Sequence, residues 1–270
     1  MLNIFSFIPD GVKDCHVDAY LQECWRSKAI SERSLPCVIV CPGGGYSDVS
    51  DREHFPVARE FLAAGYHVFI LTYAVQENAR NFTPLCQLAA TISHIRKHAQ
   101  EWMVDPEKIA VSGFSAGGHL AASSGTLAMR DEFLKVWNGD SDIYPNAMIL
   151  GYPVILSNQF AHAGSIKRVS GGDVGTETYA YFGLDRHVSE KTPPTFLWHT
   201  AEDKAVPVEN SLQFAAALSQ NKIPFELHVL PEGKHGMSTC TQEVGTYHPY
   251  NARWVEWAIA WLNQLFAFTK

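Results

Sequence analysis

The 270 residues carry 28 acidic against 21 basic side chains, a formal charge of −7, and 46% of them are hydrophobic against 18% charged. Such a chain can bury a large core and is not disordered. With no basic stripe and no block of like charge, neither nucleic acid nor an anionic membrane is an expected partner.

Strand-like and helix-like stretches alternate along the chain. The N-terminal MLNIFSFIPDGVKDC has no basic region and no apolar run of signal-peptide length, and no stretch approaches the ~20 apolar residues of a membrane span. Residues 14–22 alternate polar and apolar, the pattern of a half-exposed edge strand. LPCVIVC (35–41) is a short continuous apolar run, as in a buried parallel strand, and it ends in Pro42-Gly43-Gly44-Gly45. Phe55, Ala58, Phe61 and Leu62 recur at helical spacing, with Gly65 as a C-cap, before a second buried strand at 66–74. Leu85, Leu88, Ala89, Ile92, Ile95, Ala99 and Trp102 form one stripe of a helix over 82–102, stopped by Asp105-Pro106. IAVSGF (109–114) is a strand that runs into Ser115-Ala116-Gly117-Gly118 and a helix-forming segment. Further strands are expected at 147–153, 196–200 and 225–230, with helices over 207–221 and 249–267.

Repeated β–α units predict a single α/β domain over 1–270, with a mostly parallel central sheet and helices on both faces. The least regular stretch, 154–194, is expected to form a small cap or lid at one end of the sheet. The six cysteines, Cys15, Cys24, Cys37, Cys41, Cys86 and Cys240, include no Cys-x-x-Cys pair and read as free thiols of a reducing, cytoplasmic compartment.

Gly113-Phe114-Ser115-Ala116-Gly117 fits G-x-S-x-G between a strand and a helix. A serine on that sharp turn is pushed out above the carboxyl end of the sheet. The plainer reading of Ser115 is a helix cap. As a nucleophile it needs a histidine base held by a carboxylate. Asp203, just after the strand at 196–200, and His235, just after the strand at 225–230, stand in the expected order, 88 and then 32 residues on. Glu202 is a rival acid; His119, His199, His228 and His248 are rival bases, none of them in a Gly-flanked loop after the last strand. Backbone amides must meet the developing oxyanion. Ala116 follows the nucleophile, and the 42–46 loop supplies glycines that let a backbone approach closely. Tyr46, beside that triplet, is expected to touch substrate. No Gly-Lys-Ser/Thr completes a phosphate loop and no cluster has metal spacing, so neither cofactor nor metal is expected.

Taken together, PGGGY, SDREHFPVAREFLAAGYHVFILTYAV, DPEKIAVSGFSAGGHLAA, HTAEDKAVPVENS and EGKHGM resemble the α/β-hydrolase esterases and lipases related to the hormone-sensitive-lipase group, and within it the small acetylxylan-esterase-like carboxylesterases. The likeness spans about 35–265. It implies an α/β-hydrolase fold, a triad of Ser115, Asp203 and His235, and an oxyanion hole of Gly44, Gly45 and Ala116. Pro42 stands where the lipase branch has histidine, as in acetylxylan-type members, and Tyr73-Ala74-Val75 lacks the arginine many relatives carry. The expected activity is hydrolysis of short acyl esters, acetyl above all, of a small or sugar-like alcohol, by a chain that pairs as a homodimer. A peptidase of prolyl-oligopeptidase type and a non-catalytic binding role are the alternatives.

Overall fold

The computed structural model describes residues 2–23 and 34–269. Among the described residues eight strands form one sheet: β1 (Leu2–Phe7), β2 (His16–Gln22), β3 (Leu35–Cys41), β4 (His67–Thr72), β5 (Val104–Phe114), β6 (Ala147–Gly151), β7 (Thr195–Thr200) and β8 (Phe225–Leu230). Their spatial order is β1-β2-β4-β3-β5-β6-β7-β8. The two pairings made by β2 are antiparallel, and β3 to β8 run parallel. The helices are α1 (Phe55–Ala63), α2 (Thr83–Lys97), α3 (Ala99–Trp102), α4 (Ala116–Ser124), α5 (Asp131–Leu134), α6 (Ala163–Ser170), α7 (Glu177–Tyr181), α8 (Glu209–Gln220) and α9 (Trp254–Leu265). None of the described helices is long and apolar enough to cross a membrane.

The continuous apolar runs follow from burial on both faces. In β3, Cys37, Ile39 and Cys41 join one core with α2, α4 and α8, while Val38 and Val40 join the other with α1 and α9. A strand's period of two sends neighbouring side chains to opposite faces, so a strand covered twice has no polar position to alternate with. The Trp254 ring of α9 stacks on Trp198 of β7 at 4.9 Å.

The structure departs from the sequence reading at several boundaries. Residues 16–22 are not the edge strand, because β1 pairs with Val17 to Gln22. Leu2 and Ile4 of β1 face solvent, while Phe5 and Phe7 only partly cover the core, so apolar residues stand on both sides and hide the alternation. The helix expected over 82–102 is broken at His98, and Met103 in the left-handed region ends it. Asp105-Pro106 lies inside β5, where the register against β3 shifts between Leu35 and Cys37. That irregularity frees the proline from donating to the ladder. Pro207 precedes α8 rather than entering its first turn, and α9 is reached through a short turn at Asn251–Arg253. Cys15, Cys37, Cys41, Cys86 and Cys240 are free; Cys24 lies outside the described residues.

His67, fully buried at the start of β4, accepts from the Gln22 amide at 2.9 Å and donates to the Met103 carbonyl at 3.2 Å. Burial, against a smaller effect of the Met103 bond, lowers its pKa from 6.5 to about 4. An unfolded chain therefore binds a proton there that the folded chain refuses, and stability rises with pH across that window. Stability measured by urea unfolding should fall by up to about 3 kcal/mol on this account as the pH drops from 6.5 to 4. His67→Gln, which keeps a donor and an acceptor without titrating, should flatten that part of the slope.

Candidate active site

Ser115 sits between the end of β5 and the start of α4 with φ 53 and ψ −118. A non-glycine residue enters that region only when its surroundings leave no alternative. Here the backbone is clamped: the Ser115 amide donates to the Gly151 carbonyl at 3.0 Å, and its carbonyl accepts from the His119 and Val154 amides at 3.1 and 3.0 Å. The flanking glycines are steric necessities. A Cβ on Gly117 would stand 2.1 Å from the Cys41 carbonyl oxygen and 2.3 Å from that of Pro42, and one on Gly113 would stand 2.1 Å from the Gly117 carbonyl oxygen. The Ser115 side chain makes no capping bond to α4. Its hydroxyl lies 2.8 Å from His235 Nε2 instead.

Asp203 and His235 occupy the loops that leave β7 and β8, and Thr200 Oγ1 ties these loops together by donating to the Gly233 carbonyl at 2.8 Å. His235 Nδ1 lies 2.6 Å from Asp203 Oδ2. Asp203 Oδ1 accepts from the Ala205 and Val206 amides, both at 2.9 Å, and His199 Nε2 approaches Oδ2 at 3.4 Å. Burial alone would push the Asp203 carboxyl up; hydrogen bonds from His199 and His235, the His235 charge and the Val206 amide together hold it well below the ordinary carboxylate range. An ionised Asp203 places the imidazole proton on Nδ1 and leaves Nε2 to accept from the Ser115 hydroxyl.

The rival groups are engaged elsewhere. Glu202 is exposed and faces the Gly233 amide at 3.4 Å. His199 donates from Nε2 to the Val206 carbonyl at 2.9 Å and meets Ser211 through Nδ1 at 2.8 Å. His228 pairs with Glu226 at 2.6 Å and stacks on Trp257, and His248 accepts from the Asn251 amide at 3.2 Å. His119 is buried, donating to the Phe182 carbonyl and accepting from the Tyr46 hydroxyl, each at 3.0 Å. That contact corrects the expectation for Tyr46. Its side chain is 1% exposed and turned into the core against Tyr73 and His119, so it does not line the cleft. The residue takes φ 55 at the end of the glycine triplet, which aims the ring inward.

Gly44 and Gly45 do line the cleft beside Ser115, at φ 128 and 66. Their amides make no hydrogen bond among the described residues, whereas the Gly43 amide donates to Glu53 Oε2 at 2.7 Å. The Ala116 amide opens α4, where first-turn donors have no intrahelical acceptor.

Glu53 escaped the sequence reading, since one acid in the polar-looking SDREHF carries no motif. It is 2% exposed and takes two hydrogen bonds, one from Gly43 and one from the Tyr152 hydroxyl at 2.6 Å. Tyr152 in turn accepts from the Ser238 amide at 2.8 Å, and its ring meets His235 edge-on at 5.1 Å. Burial raises the Glu53 carboxyl pKa, against the pull of Tyr152, Gly43 and the His235 charge. The cleft itself, about 520 Å³, is lined by glycine, serine, histidine and arginine together with Glu53, and among the described residues by no apolar side chain.

The BD-FAE family model matches residues 26–153. A solved acetyl ester-xyloside bifunctional hydrolase from Caldicellulosiruptor lactoaceticus is 35% identical, with a TM-score of 0.80 over 95% of this chain and 89% of that one. MGS-M1, an α/β hydrolase enzyme from a Medee basin deep-sea metagenome library, is 30% identical, with a TM-score of 0.78 over 99% of both chains. An acetylxylan esterase of Xylanibacter ruminicola is 26% identical over 84% of this chain but only 45% of its own length. The chain spans about a third to somewhat over half the length of the curated relatives it matches.

A carboxyl held below its ordinary pKa adds stability that is present above the unfolded value of ~3.9 and decays as pH falls below it. Asp203→Asn should therefore lower stability at neutral pH and flatten the acid limb below about pH 4 in urea titrations. An acid limb identical to that of the unaltered protein would show that the bonds to Asp203 do not hold its charge.

Proposed function

The chain belongs to the esterase branch of the α/β-hydrolase family, and on that premise we propose that it is a serine carboxylesterase acting on short acyl esters, acetyl above all, of a small or sugar-like alcohol. The observation that carries this reading is the Ser115–His235–Asp203 chain of hydrogen bonds, 2.8 and 2.6 Å long, opening on a cleft to which no apolar side chain contributes among the described residues.

In this mechanism Ser115 Oγ attacks the ester carbonyl carbon as its proton passes to His235 Nε2. Asp203 keeps the imidazole oriented and offsets the charge of the imidazolium. The carbonyl oxygen becomes an oxyanion facing the Gly44, Gly45 and Ala116 amides, and each well-placed donor contributes roughly 3 kcal/mol. Gly43 is not among these donors, because Glu53 already holds its amide. As the intermediate collapses, the carbon–oxygen bond to the alcohol breaks and His235 Nε2 returns the proton to the leaving oxygen. A water molecule, deprotonated by His235, then attacks the acyl-serine; collapse releases the acid and restores Ser115. Glu53 and Tyr152 act as positioning residues, steadying the glycine loop and the His235 ring. Residues 154–194 bring His162, Gly164 and Arg168 to the cleft, and we assign this segment as a small cap.

The preference for short acyl groups is supported by a cleft that offers no leucine, isoleucine, valine or phenylalanine side chain among the described residues to receive a long chain. Each methylene gains about 0.8 kcal/mol when it is fully buried. The names of the acetyl ester-xyloside hydrolase and the acetylxylan esterase point the same way.

Hydrolysis of p-nitrophenyl esters from acetate to decanoate tests the reading. Turnover should be fastest on acetate and fall with chain length. Ser115→Ala should lose at least about 10³-fold in kcat with its circular dichroism unchanged. Glu53→Gln should lose about 10-fold, the share of a misplaced donor. Undiminished turnover by Ser115→Ala would end the mechanism, and an optimum at decanoate would end the short-acyl assignment.

A further inference from the structure

The cleft's charge is not used by this chemistry. We infer that the alcohol part of the substrate carries an anionic group, a carboxylate in the first instance, held by Arg52 and Arg168. This inference deepens the esterase reading and rests on it.

Cations are outnumbered in this chain, 21 to 28. Several are neutralised where they stand: Arg59 by Glu243, Arg96 by Asp142, Lys97 by Asp140 and Lys108 by Asp105. Arg52 and Arg168 both line the cleft that holds Ser115, and neither has a carboxylate partner among the described residues. Among the described residues the Arg168 guanidinium reaches the Gly45 carbonyl alone, at 3.3 Å. Among the described residues one acid lines the cleft, Glu53; it accepts from Gly43 and Tyr152, and Arg52 acts on it only through its charge, without an ion-pair contact. Two guanidinium groups are thus free to take a planar anion, which they bind through paired N–H donors.

Position assigns the anion to the alcohol rather than to the acyl group. The leaving oxygen takes its proton from His235 Nε2, so the alcohol lies on the histidine side. Arg52 stands on that side, its Nη2 3.1 Å from where a Cβ of Gly236 would be. The cationic lining also continues outward. A groove of about 630 Å³ shares Ser47 and Arg168 with the cleft and adds Arg80, together with a Lys167 that is already paired. Of its two acids, Asp173 is bound by Lys167 at 2.9 Å, which leaves Glu77. A carboxylate-bearing sugar ester fits this arrangement: hydroxyls against serines and histidine, the anion against guanidinium.

The test compares the 2-O-acetyl esters of methyl glucoside and methyl glucuronoside, which differ at one carbon, with p-nitrophenyl acetate as reference. The expected kcat/KM ratio favours the uronate by about 10-fold at low salt. It should fall toward one as salt rises and in the Arg52→Gln/Arg168→Gln double variant. A wild-type ratio near one, or a ratio that neither salt nor the double variant moves, overturns the inference while p-nitrophenyl acetate cleavage leaves the esterase reading standing. No cleavage of any of the three esters by the unaltered protein overturns both.

Discussion

The architecture of the site depends on one close approach. The backbone of α4 passes so near the end of β3 that only glycine fits at 117, with a Cβ meeting two carbonyl oxygens at 2.1 and 2.3 Å. This contact sets the glycine loop after β3 against the first turn of α4. It also leaves the residue between β5 and α4 no room for an ordinary turn, so Ser115 takes φ 53. The strain costs on the order of 1–3 kcal/mol. It is offset by three backbone hydrogen bonds at Ser115 and by burial of β3 and β5 on both faces.

Around this turn two buried carboxyls are driven in opposite directions by their surroundings. Asp203 meets two amides, the His235 imidazole and the edge of His199, and its charge is held. Glu53 has two donors, and burial prevails. Two acids of similar intrinsic strength thereby serve different ends, one as the counter-charge of His235 and one as a clamp on the glycine loop. The clamp also distinguishes the three loop amides: Gly43 is held by Glu53, while the amides of Gly44 and Gly45, residues that line the cleft, have no acceptor among the described residues.

What the sequence could disclose follows the range of each interaction. Strands covered on both faces were legible because burial leaves a local apolar run, as in LPCVIVC. β1 was not, because an edge strand with apolar residues on both sides gives no clear period. Ser115, Asp203 and His235 could be placed together from chain order, since each leaves the carboxyl end of a parallel strand and the sheet brings those ends together. Glu53 could not, for its partners Gly43 and Tyr152 are 10 and 99 residues away and no local pattern links them. Tyr46 was misjudged because proximity in sequence to the glycine triplet says nothing of direction; a positive φ turned the ring toward His119.

Exposure along the hydrogen-bonded chain explains how one site can be both dry and open. The Asp203 side chain is wholly buried, and that of His235 is 24% exposed. A carboxylate with no access to water cannot trade its bonds to amide and imidazole for hydration, so its geometry is set before any ligand arrives. The proposed mechanism asks the opposite of the imidazole at one edge, because there Nε2 exchanges protons in turn with Ser115, an alcohol and water. Its two nitrogens therefore divide the environment, Nδ1 facing the interior through Asp203 and Nε2 facing the cleft through Ser115. In the proposed mechanism the charge the ring acquires is offset from the buried side, while the open side stays free for the reacting atoms.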